Sequence, residues 1–177
     1  MIENEFWDLI QKSKLNFGDN LAGRVKYLKE TLKEMPEADI FDFEECLRKK
    51  IIECDNFKVM AAAKIIDGYV SDDSYIYFRC WLIGKGKQIF DEAIIDPDSL
   101  STAIGADELC DFEELLYIAT QAFSEKVGKE EDETFPRNAC ISKGLDYDFG
   151  APPTKGDDWD EDDLPTTYPK LWTVING

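Results

Sequence analysis

Apolar positions recur with helical spacing over most of the chain. From Glu3 to about Lys14, Phe6, Trp7, Leu9 and Ile10 cluster, with acids early and lysines late, as the helix dipole favours. After the turn around Gly18, residues 20–35 place Leu21, Val25, Leu28, Leu32 and Met35 at alternating steps of four and three. That spacing predicts a helix–helix seam, which Pro36 ends. Residues 38–54 put Ile40, Phe43, Leu47, Ile51 and Cys54 on one face. Residues 57–67 follow as a fourth helix, with Ala61–Ala63 small enough for close packing and Gly68 as a left-handed cap.

The run S-D-D-S-Y-I-Y-F-R-C-W-L-I-G-K-G, Ser71 to Gly86, departs from this one-faced pattern. From Tyr75 to Ile83 every residue except Arg79 is apolar or aromatic, which predicts a buried central helix over 72–86. Ser71, Asp72 and Asp73 supply capping oxygens at its positive end, and Gly84 or Gly86 with flanking lysines closes the other. Asp96-Pro97 reads as a cap and first residue of a short helical turn. Residues 107–127 form one more predicted helix. Its stripe is Leu109, Phe112, Leu115, Leu116, Ala119, Ala122, Phe123 and Val127, with Asp107 as cap and Gly128 past the end.

Beyond Gly128 no helical period survives. Five of the seven prolines fall there, and short acidic runs alternate with Phe135, Tyr147, Phe149, Trp159, Leu164, Tyr168, Leu171 and Trp172. These side chains predict an extended segment laid over the helices, each aromatic filling a groove. The expected fold is therefore all-α. It is a single domain of six or seven helices around the helix of residues 72–86, with residues 1–128 as the helical body and 129–177 as an irregular acidic segment folded back on it.

Composition agrees with one domain: 177 residues, of which 44% are hydrophobic, supply a core of ordinary size. No apolar run approaches the ~20 residues of a bilayer span. The opening M-I-E-N-E-F-W-D-L-I lacks the basic-then-apolar order of a secretory signal, so a cytoplasmic location and no membrane partner are expected. Five cysteines without a C-x-x-C pair read as reduced, buried thiols.

The chain contains no histidine. That excludes Ser-His-Asp and Cys-His catalysis, imidazole acid–base chemistry and histidine-ligated metals. No metal or cofactor is expected. The formal net charge is −18, of which residues 91–177 carry −16 from 6 basic and 22 acidic side chains. Such a field repels nucleic acid and favours a basic protein as partner.

Short motifs add little. In D-D-W-D-E-D-D, residues 157–163, the positions that an EF-hand gives to glycine and its final glutamate hold Asp163 and Pro169. L-D-Y-D-F-G, residues 145–150, has the D-x-D spacing of aspartyl phosphatases without their strand or following threonine. G-K-G-K, residues 84–87, is not a phosphate loop. Arg24, Lys26, Lys29 and Lys33 form a basic face that Glu30 and Glu34 dilute, and it reads as solvated.

Arg79 stands apart, because an isolated charge buried in such a helix costs several kcal/mol. Tyr75, one turn away, is placed to stack on it, while Asp72 lies ~10 Å along the axis. An acid from the C-terminal segment is the expected partner. Asp72, Asp73, Arg79, Trp81 and Trp159 are the candidate binding residues, and no catalytic residue is assigned.

E-F-W-D-L-I, then G-Y-V-S-D-D-S-Y-I-Y-F-R-C-W-L-I-G-K-G with F-D-E-A-I-I-D-P-D-S-L, and the closing W-D-E-D-D-L-P-T-T-Y-P-K-L-W resemble the uncharacterised bacterial family known as domain of unknown function 4240. The resemblance implies a small helical cytoplasmic protein, sometimes joined to other modules, and supplies no catalytic assignment. Residues 129–146 fall outside it and read as a variable insertion. The expected function is a non-catalytic protein-interaction module binding a basic partner, an immunity-type inhibitor being one concrete version. The alternatives are an enzyme or small-molecule binder built on Asp72, Asp73 and Arg79, and a self-associating structural protein.

Overall fold

The computed structural model describes residues 1–105, 108–132 and 134–177. It is all-α, with no strand among the described residues. In chain order the helices are α1 (Glu3–Phe17), α2 (Leu21–Glu34), α3 (Glu37–Glu53), α4 (Phe57–Asp67), α5 (Asp72–Gly84) and α6 (Lys87–Ile95). They continue with α7 (Ile118–Val127), the single turn α8 (Ala139–Ile141), α9 (Leu164–Thr167) and α10 (Pro169–Asn176). Tighter 3₁₀ segments cover Pro97–Thr102, Glu113–Tyr117 and Glu161–Asp163.

The chain divides into two compact units. One comprises Met1–Ile52 and Glu113–Pro152, the other Glu53–Phe112 and Pro153–Gly177. In the first, α2 packs on both α1 and α7. Its core holds Phe6, Ile10, Leu28, Leu32, Ile40, Phe43, Leu47, Leu115 and Ala119, all fully buried or nearly so. The four-three seam of α2 is therefore occupied at its centre, while Leu21, Val25 and Met35 are only half-buried.

The basic face of α2 is not solvated as a whole. Arg24 is buried with its Nε 3.3 Å from Ser13 Oγ. Lys29 and Lys33 both reach Glu125 of α7, at 2.7 and 3.3 Å. Phe135 lies between Phe41, stacked at 5.7 Å, and Phe123 at 4.5 Å, so this aromatic fills a groove as expected. Phe149 does not, since it is wholly exposed.

In the second unit, α5 is the buried helix that its composition predicts. Tyr75, Ile76, Phe78, Cys80, Trp81, Leu82 and Ile83 are all within the core. Its cap is Ser71, whose Oγ accepts from Ser74 N–H at 3.2 Å while Ser74 Oγ accepts from Ser71 N–H at 2.9 Å. Asn56 caps α4 by accepting from Val59 N–H, and Gly68 closes that helix in the left-handed region at φ 76°. Asp96 caps the Pro97–Thr102 segment through Asp98 N–H, as the Asp-Pro pair predicts.

Two further expectations are corrected. The stripe of residues 107–127 is not one helix: α7 begins only at Ile118, after the 3₁₀ segment, and Leu109 is 73% exposed. The Asp107 cap lies outside the described residues. The C-terminal segment is not wholly extended either, because α9 and α10 form within it, with Pro165 and Pro169 in their first turns. There a proline's missing N–H costs nothing, so these prolines start helices. Leu164, Tyr168 and Leu171 are buried, and α10 packs against the Pro97–Thr102 segment and α4.

Candidate functional site

The second unit contains all five candidate residues, and the structure distributes them over four surroundings. Arg79 is 3% exposed. Its Nη1 lies 3.4 Å from Asp55 Oδ2, its Nε is 3.4 Å from the Tyr75 carbonyl, and its guanidinium sits over the Tyr75 ring at 4.5 Å. The stacking on Tyr75 follows the helical spacing. The carboxylate partner does not come from the C-terminal segment as expected, but from the turn between α3 and α4.

Tyr75 itself holds that turn in place. Its hydroxyl lies within donating distance of the carbonyls of Cys54 (3.3 Å) and Asn56 (3.0 Å), and accepts from Asn56 N–H at 3.2 Å. Burial raises the Tyr75 hydroxyl pKa, and the neighbouring Cys54 adds to the effect. The hydroxyl is thus held protonated as a structural donor. Asp55 Oδ1 is buried and makes no hydrogen bond, leaving this carboxylate engaged through Oδ2.

Trp81 belongs to a separate network at the other end of α5. Its Nε1 donates to Glu108 Oε1 at 2.8 Å, and Lys85 Nζ donates to both Glu108 oxygens at 2.9 and 3.0 Å. Gly105 N–H completes the set at 2.8 Å. Burial alone would raise the Glu108 carboxyl pKa. The hydrogen bonds from Gly105, Lys85 and Trp81 outweigh it and hold the carboxyl below the ordinary glutamate value.

Asp72 and Trp159 do come together. They line a cleft of about 470 Å³ beside the start of α5, with Phe57, Met60, Val70, Ser71, Tyr75, Asp158 and Glu161. The C-terminal segment is led there by a short bridge to the turn before α4. Lys155 N–H donates to Asp55 C=O at 3.3 Å, and Phe57 N–H donates to Lys155 C=O at 2.9 Å. Lys64 fixes the segment further on through Glu161 at 2.8 Å. Asp72 and Asp158 are exposed at the rim, while Trp159 is half-buried with a shielded Nε1 that makes no hydrogen bond. Asp73 is exposed on the first turn of α5.

The cleft combines apolar and aromatic walls with a carboxylate rim. That chemistry suits a cationic side chain, its alkyl stem against Met60 and Trp159 and its charged head at Asp72 and Asp158. Of these residues, Asp72 and Trp159 are legible as candidates in the sequence. Met60, Asp158 and Glu161 are not, although the acids flanking Trp159 in D-D-W-D-E-D-D were a signal that its surroundings would be anionic. Among the described residues no group of acids and thiols has the arrangement of a metal site. No helix among them is long and apolar enough to cross a membrane.

The described residues define an all-α protein. The chain belongs to a family described as protein of unknown function, DUF4240, whose model matches residues 1–125. The matched residues include α1 to α7 up to Glu125, so the closing W-D-E-D-D-L-P-T-T-Y-P-K-L-W lies beyond them. No curated protein matches the chain, and no solved structure does.

Proposed function

We propose that this protein is a non-catalytic interaction module that binds a basic protein, and that the cleft at the start of α5 receives a lysine or arginine side chain of that partner. The single observation carrying this reading is the cleft itself, where Trp159 and Met60 stand beside the exposed carboxylates of Asp72 and Asp158. The −18 net charge adds long-range attraction for a basic surface and repulsion for nucleic acid. An immunity-type inhibitor of a basic toxin is one concrete form. The five free cysteines fit a reducing cytoplasm.

The alternative, an enzyme using Asp72, Asp73 and Arg79, draws less support. Arg79 is spent on Asp55 and Tyr75 inside the unit, while both aspartates are exposed.

Affinity capture from producing cells tests the reading, with the wild type, Trp159→Ala and Asp72→Asn/Asp158→Asn compared across a salt series. A basic protein should be retained by the wild type, and both variants and raised salt should release it. Retention of only neutral or acidic proteins, or indifference to salt and to both variants, would overturn it.

A further inference from the structure

Phe149, in the first unit, is 100% exposed on a loop whose backbone is tightly fixed. The Asp146 carboxylate accepts from Asp148 N–H at 3.0 Å and from Gly150 N–H at 2.8 Å, and Ala151 N–H donates to the Asp148 carbonyl at 3.0 Å. Behind the turn, Arg48 Nη1 donates to the Leu145 carbonyl at 2.9 Å, and its guanidinium covers the Tyr147 ring at 4.6 Å. A side chain at Gly150 would bring its Cβ within 2.6 Å of Asp146 Oδ2, so the turn also depends on glycine.

A large aromatic on a preordered backbone gains most from burial in a partner, because little conformational freedom remains to be lost. Its own unit offers Phe149 no cover, whereas the nearby Tyr147 is covered by Arg48.

The charge around the loop selects the partner. Asp148 is exposed beside Phe149. The neighbouring cations are already paired: Lys143 with Glu45 at 2.6 Å and Arg48 with Glu44 at 2.6 Å. The loop tip therefore presents one apolar anchor in a negative field.

We infer that Phe149 is a docking anchor that inserts into an apolar pocket on a protein partner, the pocket being edged by lysine or arginine facing Asp148. The inference rests on the reading of the protein as a module for a basic partner. An anionic membrane surface is the less favoured occupant, because the acids flanking Phe149 would be repelled by it.

Photocrosslinking in producing cells tests this in the full-length chain. A benzophenone-bearing amino acid is placed at position 149 and, as a control, at Leu15, which is 74% exposed. Position 149 should crosslink to a basic protein and the control should not. Phe149→Ala should weaken binding of that protein by about tenfold or more, as loss of an aromatic anchor does, with Phe149→Leu intermediate. The thermal midpoint should not move in either variant, since the ring is wholly exposed.

Equal crosslinking at both positions, crosslinks to lipid alone, or Phe149→Ala binding within about twofold of wild type would overturn the anchor. If Trp159→Ala abolishes binding while Phe149→Ala does not, the anchor fails and the interaction reading stands. If the wild type retains no basic protein, both fall.

Discussion

The Arg79 guanidinium stands 3.4 Å from the Asp55 carboxylate, and both side chains are nearly closed to solvent. This pair explains how an otherwise apolar helix tolerates a charge. The arginine is desolvated once, and Asp55, the Tyr75 carbonyl and the Tyr75 ring together replace its water.

Removing one partner should therefore cost more than removing both. Asp55→Ala leaves a buried guanidinium without its carboxylate and should lower unfolding free energy by about 3 kcal/mol. Arg79→Met combined with Asp55→Leu should recover most of that loss. Urea unfolding of the two single variants and the double variant measures the coupling. An unchanged midpoint in Asp55→Ala would remove the structural role given to this pair.

Thiol reactivity gives a second test of the buried organisation. Cys54, Cys80, Cys110 and Cys140 are buried and Cys46 is half-buried. Burial pushes Cys54 up to about 12, against the lowering effect of Arg79, and pushes Cys140 up to about 12 as well. A thiolate is the reactive form, so these thiols should be silent near neutral pH. Ellman's reagent should find one reacting thiol in the native protein, lost in Cys46→Ser, and five after denaturation. Rapid reaction of several native thiols would contradict this packing.

How far the sequence reached depended on whether a signal was local. The Ser71 cap, the Gly68 terminus and the Asp96-Pro97 start lie within a few residues of the groups that they satisfy, so position alone identifies them. The stripe from Leu109 failed for a different reason. Apolar spacing records which residues could share a face, but Leu109 is exposed while Phe112 and Leu115 are buried without one continuous helix. The Asp55–Arg79 pair was illegible because the Tyr75 hydroxyl, through its bonds to Cys54 and Asn56, carries the turn to the arginine. The cleft was half-legible: Trp159 and Asp72 stand out by composition, whereas their meeting depends on the bridge at Lys155.

Glu108 sets an acid limit on stability. Its folded-state pKa lies below the ordinary value of 4.5, so the folded chain holds this carboxylate ionised more readily than the unfolded chain. The resulting stabilisation is fully present above pH 4.5 and is lost as pH falls through the lower folded value. Glu108→Gln should cost about 1–2 kcal/mol near neutral pH through weaker bonds to Lys85 and Trp81. It should also flatten the acid limb of the stability profile. Denaturant titrations of wild type and variant between neutral pH and the acid limb would show this. Parallel profiles would mean that Glu108 does not contribute to that limb.

The helix α10 is held at its start by a side chain from another element. Pro169 opens α10 without an N–H, so Lys170 and Leu171 present unsatisfied donors at the helix start. They are met from another element: Asp98, 6% exposed, accepts from Leu171 N–H at 2.8 Å and from Lys170 N–H at 3.4 Å. Asp98 thus acts as a cap supplied across the fold, and its charge also faces the positive end of the α10 dipole. Asp98→Ala should cost about 1–2 kcal/mol, as loss of a capping side chain does, and Asp98→Asn should cost less because an acceptor oxygen remains. Hydrogen exchange should quicken over residues 170–176 in Asp98→Ala and leave the amides of α5 protected. Uniform acceleration in both helices would show instead that Asp98 supports the whole unit and not the α10 start.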